Sequence, residues 1–276
     1  MNVLAVGASR NIGYYAALRL LEKGATVTFL LRSPSTFDGD STIQGYVASG
    51  KAHLVKGDGL KADDVRHCWE VAQSLGTDGR VDLVLFTVGG IPSFSLTQGF
   101  IISPPDLVTK ALFTLLSTIP PSLRTPSSQP RIITISSTGL TRASHDALPL
   151  LLKPLYGYFL RKPHEDKLGA ERIVAHSSGR PWTDEEPQSK ILGEGWQEKE
   201  GLPKPGELKH VVVVRPALLS DGPCKADESS NIPYRVADTE LPGGYRVSRK
   251  DVAHFMIEGV LSQWDKWEGK CVNIAY

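Results

Sequence analysis

The stretch YFLRKPHEDKLGAER, residues 158–172, holds a phenol, two lysines and a histidine. Tyr158 and Lys162 have the four-residue spacing that sets a hydroxyl and an ammonium on one helical face, where such a pair can polarise a carbonyl and give it a proton. Pro163 follows at once. A residue before proline is biased out of the helical region, so Lys162 reads as a junction. Pro163 itself suits the first turn of a new helix. That helix is expected over 164–177, with Leu168, Ile173, Val174 and Ala175 as candidates for its buried side. Lys167 then lies on the helix, and the position four before it is a proline with no hydroxyl.

The second chemical signal is VGASRNIG, residues 6–13, placed directly after an apolar run and at the opening of an amphipathic one. A turn of this kind needs glycine for tight reversal, for close approach of backbone N–H groups to a pyrophosphate and for helix–strand packing. The helix end beyond it offers partial positive charge to the phosphates. Gly7 and Gly13 supply the outer positions, Arg10 or Asn11 stands at the central one, and Ser9 and Ile12 complete the turn. The strict GxGxxG is therefore absent. In an NAD site, an acidic residue about 20 positions on holds the ribose 2′-hydroxyl. Here the next strand ends in Arg32 and Ser33, with no carboxylate before Asp38. Arg32 and Arg10 would flank one anion, and a guanidinium fork suits a phosphate. The expected cofactor is NADP(H).

These residues must be positioned by alternating elements. Short apolar runs at 2–6, 26–31, 53–56, 81–87, 131–135 and 211–215 lack polar alternation, as strands buried on both faces do. Amphipathic runs at 13–23, 61–75, 106–116 and 164–177 separate them. Such alternation predicts an α/β fold: a Rossmann-type, doubly wound, mainly parallel sheet flanked by helices. The 276 residues suit one such domain, with a substrate-side C-terminal part over about 216–276. The proline- and serine-rich segment 118–130 is too short to divide it. A long polar insertion at 178–209 carries Trp182 and Trp196. It is either a lid or a surface turn pinned by its tryptophans.

Composition narrows the partners. With 41% hydrophobic and 22% charged residues and a net charge of +1, nothing points to nucleic acid or an anionic membrane. No apolar run approaches a membrane span, and the N-terminus shows no signal pattern. Cys68, Cys224 and Cys271 are odd in number, far apart and without metal-ligand spacing. The expectation is a cytoplasmic protein without a metal site, acting on a small molecule.

Taken in order, GASRNIG, LLRSP, VKGDGL, FTVGG, ISSTG, KLGAERI, VRPALLSDGP and VSRKDVAHFM resemble the atypical short-chain dehydrogenase/reductases, in particular the NmrA-like and biliverdin reductase B-like branch. The resemblance covers nearly the whole chain. It implies that Asp58, with Gly59 and Leu60, lies near the adenine, and that Thr87, Val88 and Gly89 lie near the inner ribose. It implies Ser136 and Ser137 beside the nicotinamide, and Pro216, Ala217 and Leu218 on the carboxamide through backbone groups. The alternatives are that Asp58 only caps the helix near Lys61 and that the serines only end a strand. In the family a helical lysine holds the ribose and lowers the pKa of a tyrosine that donates the proton. Lys167, followed by Ala170 and Glu171, matches that lysine, whereas Pro163 replaces the tyrosine.

The proton then has three possible sources: His164, three residues before Lys167; Tyr156 or Tyr158 from the preceding segment; or water, if a conjugated acceptor leaves a delocalised anion. The resemblance implies an NADPH-dependent oxidoreductase acting on a small conjugated organic substrate, with Ser137, Lys167 and His164 as catalytic candidates. The lost tyrosine also leaves room for a non-catalytic NADP(H)-binding regulator or a non-redox rearrangement enzyme.

Overall fold

The computed structural model describes residues 1–90, 93–95, 99–140, 161–229 and 231–276, with backbone alone at 93–95, 99–101 and 161–162. The chain opens with β1 (Asn2–Val6), α1 (Asn11–Glu22), β2 (Thr26–Leu31), α2 (Ser41–Ala48), β3 (Ala52–Lys56) and α3 (Ala62–Leu75). Next come β4 (Leu83–Phe86), a small β5–β6 hairpin (Ser93–Ser95, Gly99–Ile101), α4 (Leu107–Ser117), β7 (Arg131–Ile135) and α5 (Arg161–Ser178). The last part holds α6 (Ser189–Leu192), β8 (Val211–Pro216), β9 (Leu218–Ser220), α7 (Lys225–Glu228), β10 (Arg235–Ala237), β11 (Arg246–Ser248), α8 (Arg249–His254), a π-helical turn (Phe255–Leu261), α9 (Trp264–Trp267) and β12 (Cys271–Ala275).

The main sheet has eight strands in the order β10-β12-β8-β7-β4-β1-β2-β3. All neighbours are parallel except β10 against β12. The chain runs outward from β1 to β3, then returns to lay β4 on the other side of β1. That reversal opens a crevice beyond the C-terminal ends of β1 and β4, the place where ligands bind in open α/β sheets.

Alternation along β1 shows why both faces are covered. Val3 and Ala5 join a core with α1 and the segment from Val252 to Trp267, whereas Leu4 and Val6 join a core with α3, α4 and α5. Successive strand side chains point to opposite faces, so an unbroken apolar run feeds two cores.

The expected Rossmann-type sheet is what the chain forms. The fourth strand is shorter than the apolar run 81–87 suggests, leaving Thr87 beyond its end. β12 gave no clear signal because Asn273 sits at its centre; there it is buried and its amide donates to the Thr239 carbonyl at 2.9 Å. α5 begins at Arg161, so Lys162 is helical rather than a junction. Pro163 lies within that helix.

The insertion at 178–209 packs on the outer layer. Ile191, Trp196, Leu202 and Leu208 are buried in the core shared with α4 and α5. Arg172 of α5 lies 5.6 Å from the Trp182 ring and 5.4 Å from the Trp196 ring, and its Nε donates to Glu186 at 2.9 Å. Of the two expectations, the pinned surface turn is the one this packing matches.

Candidate dinucleotide and substrate cleft

The glycine turn joins β1 to α1 under the end of β4. Gly7 has φ +85°, and a Cβ there would lie 2.4 Å from the Val88 nitrogen. At Gly13 a Cβ would lie 2.1 Å from the Thr87 hydroxyl. Only glycine lets the turn and the β4 end approach this closely. α1 starts from Arg10 without a side-chain cap and with no acidic residue in its first turn. Its partial positive charge is thus left uncompensated by a local carboxylate, which suits an arriving anion.

Two cavities meet at this turn, sharing Gly7, Arg10, Val88 and Gly89. The smaller, about 140 Å³, runs along the β2 and β3 ends and is lined by Ser9, Arg32, Asp58, Gly59 and Leu60. The Arg10 and Arg32 side chains are exposed and make no hydrogen bond or ion pair with the described residues, so both forks are available. The Asp58 carboxylate accepts from the Leu60 N–H at 3.0 Å, while its own N–H donates to Asp64 at 2.8 Å. These bonds fix the loop ahead of α3 rather than cap the helix, which starts from Lys61.

The larger cavity, about 480 Å³, continues over the ends of β4, β7 and β8. It is lined by Asn11, Ile12, Gly13 and Thr87, by Ser137 after β7, by Pro163, His164 and Lys167 of α5, and by Pro216, Ala217 and Leu218 at the end of β8. Thr87 donates its N–H to the Val6 carbonyl at 2.8 Å, and Thr138 donates to Pro216 at 3.0 Å, so the strand ends stay in register beyond the ladder. Of the described residues expected to touch the cofactor or the substrate, Ser136 alone lines neither cavity. Its side chain is buried and its hydroxyl has no partner among the described residues. What it offers is a carbonyl oxygen, which accepts from Lys167 Nζ at 3.0 Å.

Lys167 is held by its neighbours on α5. Asp166 is fully buried and accepts from the Val108 and Thr109 N–H groups, each at 2.9 Å. It thereby caps α4 from another helix. One turn on, Glu171 binds Arg215 of β8 as a bidentate pair, with both side chains largely buried. Burial alone would push the Arg215 guanidinium down, but Glu171 more than offsets this and its pKa rises. Desolvation lowers the Lys167 ammonium to about 8, against the opposing pull of Asp166 and Glu171. Tyr156 and Tyr158 lie outside the described residues.

The sequence reading did not single out Gly90, Ile102, Val108, Leu219 or Arg249, which also line the larger cavity. For Arg249 a partial signal exists. Ser248 is the N-cap, its Oγ accepting from the Asp251 N–H at 3.0 Å, so SRKD marks a helix start. Nothing local says that the helix starts at the cleft.

A cradle that excludes a Cβ, an open helix end, two free guanidinium forks and a lysine beside the third strand end fit a phosphorylated dinucleotide. Together with the strand order they define a class by fold, a Rossmann-type doubly wound α/β sheet with a cleft at its topological switch point. Comparison with known proteins agrees. The chain is 28% identical over 200 residues to the curated protein "Reductase pytE" of Aspergillus terreus, covering 71% of this chain and 67% of that one. Among solved structures it is similar to the anaerobillin reductase ChuY of Escherichia coli, with 16% identity, TM-score 0.56 and coverage of 99% and 96% of the two chains. A short-chain dehydrogenase of Burkholderia cenocepacia in complex with NADP gives 18% identity, TM-score 0.55 and coverage of 94% and 89%. An alcohol dehydrogenase of Thermococcus sibiricus complexed with 5-hydroxy-NADP gives 15%, 0.59, and 99% and 95%. At these identities the solved structures speak for the fold. No family model matches the chain.

Proposed function

We propose that the protein is an NADPH-dependent oxidoreductase that reduces a small, conjugated organic acceptor of quinone, enone, flavin or carbonyl type. The observation that carries this reading is the continuity of the cleft. The phosphate turn opens on one side to the free Arg32 and on the other to a cavity holding Ser137, His164 and Lys167. The reductase of Aspergillus terreus to which the chain is similar supports the redox assignment.

Arg10, Arg32 and the start of α1 would hold the phosphates, and Asp58 to Leu60 would border the adenine. Lys167 has one proton committed to the Ser136 carbonyl and lines the cavity, where a ribose would accept from its remaining N–H groups. Pro216 and Ala217 would offer backbone groups to the carboxamide. Bound NADPH supplies a hydride and its electron pair. Ser137 would donate a hydrogen bond to the acceptor oxygen, and His164 stands in the same cavity as a proton source. The domain is one unit whose substrate side includes residues 216–276, and its setting is cytoplasmic. Among the described residues no helix is long and apolar enough to cross a membrane.

The test is NADPH oxidation over a panel of quinones, flavins and enones. Turnover of a conjugated acceptor is the expected result. Tight NADPH binding with no turnover would favour a non-catalytic regulator, the reading that Pro163 in the cavity wall supports.

A further inference from the structure

We propose that Arg249 anchors a carboxylate carried by the acceptor. The inference rests on the oxidoreductase reading above and adds a chemical class to the substrate.

Arg249 lines the larger cavity together with Ser137, His164 and Lys167, and is absent from the smaller one, where Arg32 and Asp58 stand. Among the described residues lining the larger cavity there is no aspartate or glutamate. Among these residues cations face the space with no carboxylate beside them. The dinucleotide's own anions have their place elsewhere, at the glycine turn that both cavities share and at the free Arg32.

The present partner of Arg249 is easily displaced. Its Nη1 donates to Asp221 at 2.7 Å, but the Asp221 side chain is 87% exposed while that of Arg249 is only 25% exposed. Such a pair is worth little, because the carboxylate is as well solvated apart as together. An incoming carboxylate would meet a guanidinium already partly stripped of water, whose planar fork accepts it through two parallel hydrogen bonds. Beside it, Leu218 is 54% exposed at the cavity edge, and Leu219 and Ile102 continue an apolar wall. That surface suits a flat apolar body with an acidic end.

The test uses 4-carboxychalcone and its methyl ester, two enones that differ in charge. Calorimetry on the protein saturated with NADP⁺ reads binding whether or not turnover occurs. The unsubstituted protein is expected to bind the acid about 10-fold or more tighter than the ester, and Arg249→Gln to weaken the acid by about 10–100-fold, as loss of a charged hydrogen-bond partner does. The ester and NADPH should be unaffected. Asp221→Asn, which removes the competing carboxylate at an exposed position, should tighten the acid roughly 2–5-fold, within the range of a surface pair.

Equal binding of acid and ester by the unsubstituted protein would overturn the inference. So would an Arg249→Gln loss that falls on NADPH as heavily as on the acid, which would assign this arginine to the cofactor's diphosphate. Failure of the dinucleotide reading is separate: it shows as no heat on NADPH titration. The acid–ester comparison on the unloaded protein then still decides the anchor.

Discussion

The two ends of the cleft are built by different means. At the phosphate end the work is done by backbone: a glycine turn pressed against β4, the open start of α1 and two arginines that reach out from it. At the reaction end it is done by side chains carried in from separate parts of the chain: Ser137 after β7, Lys167 on α5 and Arg249 on α8. The first end depends on a few neighbouring residues. The second depends on how well α5 and α8 are pinned, and its pins are buried ion pairs and caps rather than the turn itself.

That contrast can be tested by breaking each end in turn. Glu171→Ala should have the largest effect. It strands the buried Arg215 guanidinium and should cost about 3–5 kcal/mol of stability, read by urea denaturation. Gly7→Ala attacks the other end. Its left-handed φ and the 2.4 Å approach to Val88 should together cost at least about 2 kcal/mol and abolish NADPH binding, read by fluorescence titration and thermal melting.

Arg32→Asp should leave the fold intact and weaken NADPH roughly 10–100-fold more than NADH. Equal losses for the two cofactors would remove the 2′-phosphate assignment. The reaction end should also carry a pH signature. On the proposed assignment the protonated Lys167 is the form that would donate to a ribose, and its pKa is lowered to about 8. Affinity for NADPH should therefore be flat below that value and fall as pH rises through it, with Lys167→Met giving a weaker, flat profile. The smallest effect is expected at the insertion. Trp182→Ala removes one partner of the Arg172 sandwich and should cost about 0.5–1 kcal/mol, with no change in turnover. A change in kcat there would bring back the lid.

Much of the phosphate end was readable from the chain because its determinants are local. Gly7, Gly13, Arg10 and Arg32 lie next to strands whose apolar runs announce themselves, and the structure places all four along one crevice. The reaction end was readable only in part. Proline reasoning directed attention to Lys167, which the structure places in the cavity wall, but it also made Lys162 a junction, and that residue is helical. Burial of Ala170, Ile173 and Val174 against α4, with the Glu171–Arg215 pair and the Asp166 cap fixing orientation, sets where the helix runs, and a local bias at one residue is small beside them. Ser136 illustrates the same limit. The motif ISSTG offers two serines, and only the strand's facing decides that one hydroxyl is buried while the other meets the cleft.

By itself, then, the order of residues determined the parallel sheet, the glycine turn and the excess of arginine over carboxylate beside it, because periodicity, positive φ and charge are properties of short segments. Tertiary structure alone decided that the insertion is fastened to α5 by two tryptophans, that CVNIA lies in the sheet between β8 and β10, and that Arg249 faces the same space as Lys167. Those outcomes rest on contacts between residues far apart in the chain, and their energies exist only once both partners have been brought together.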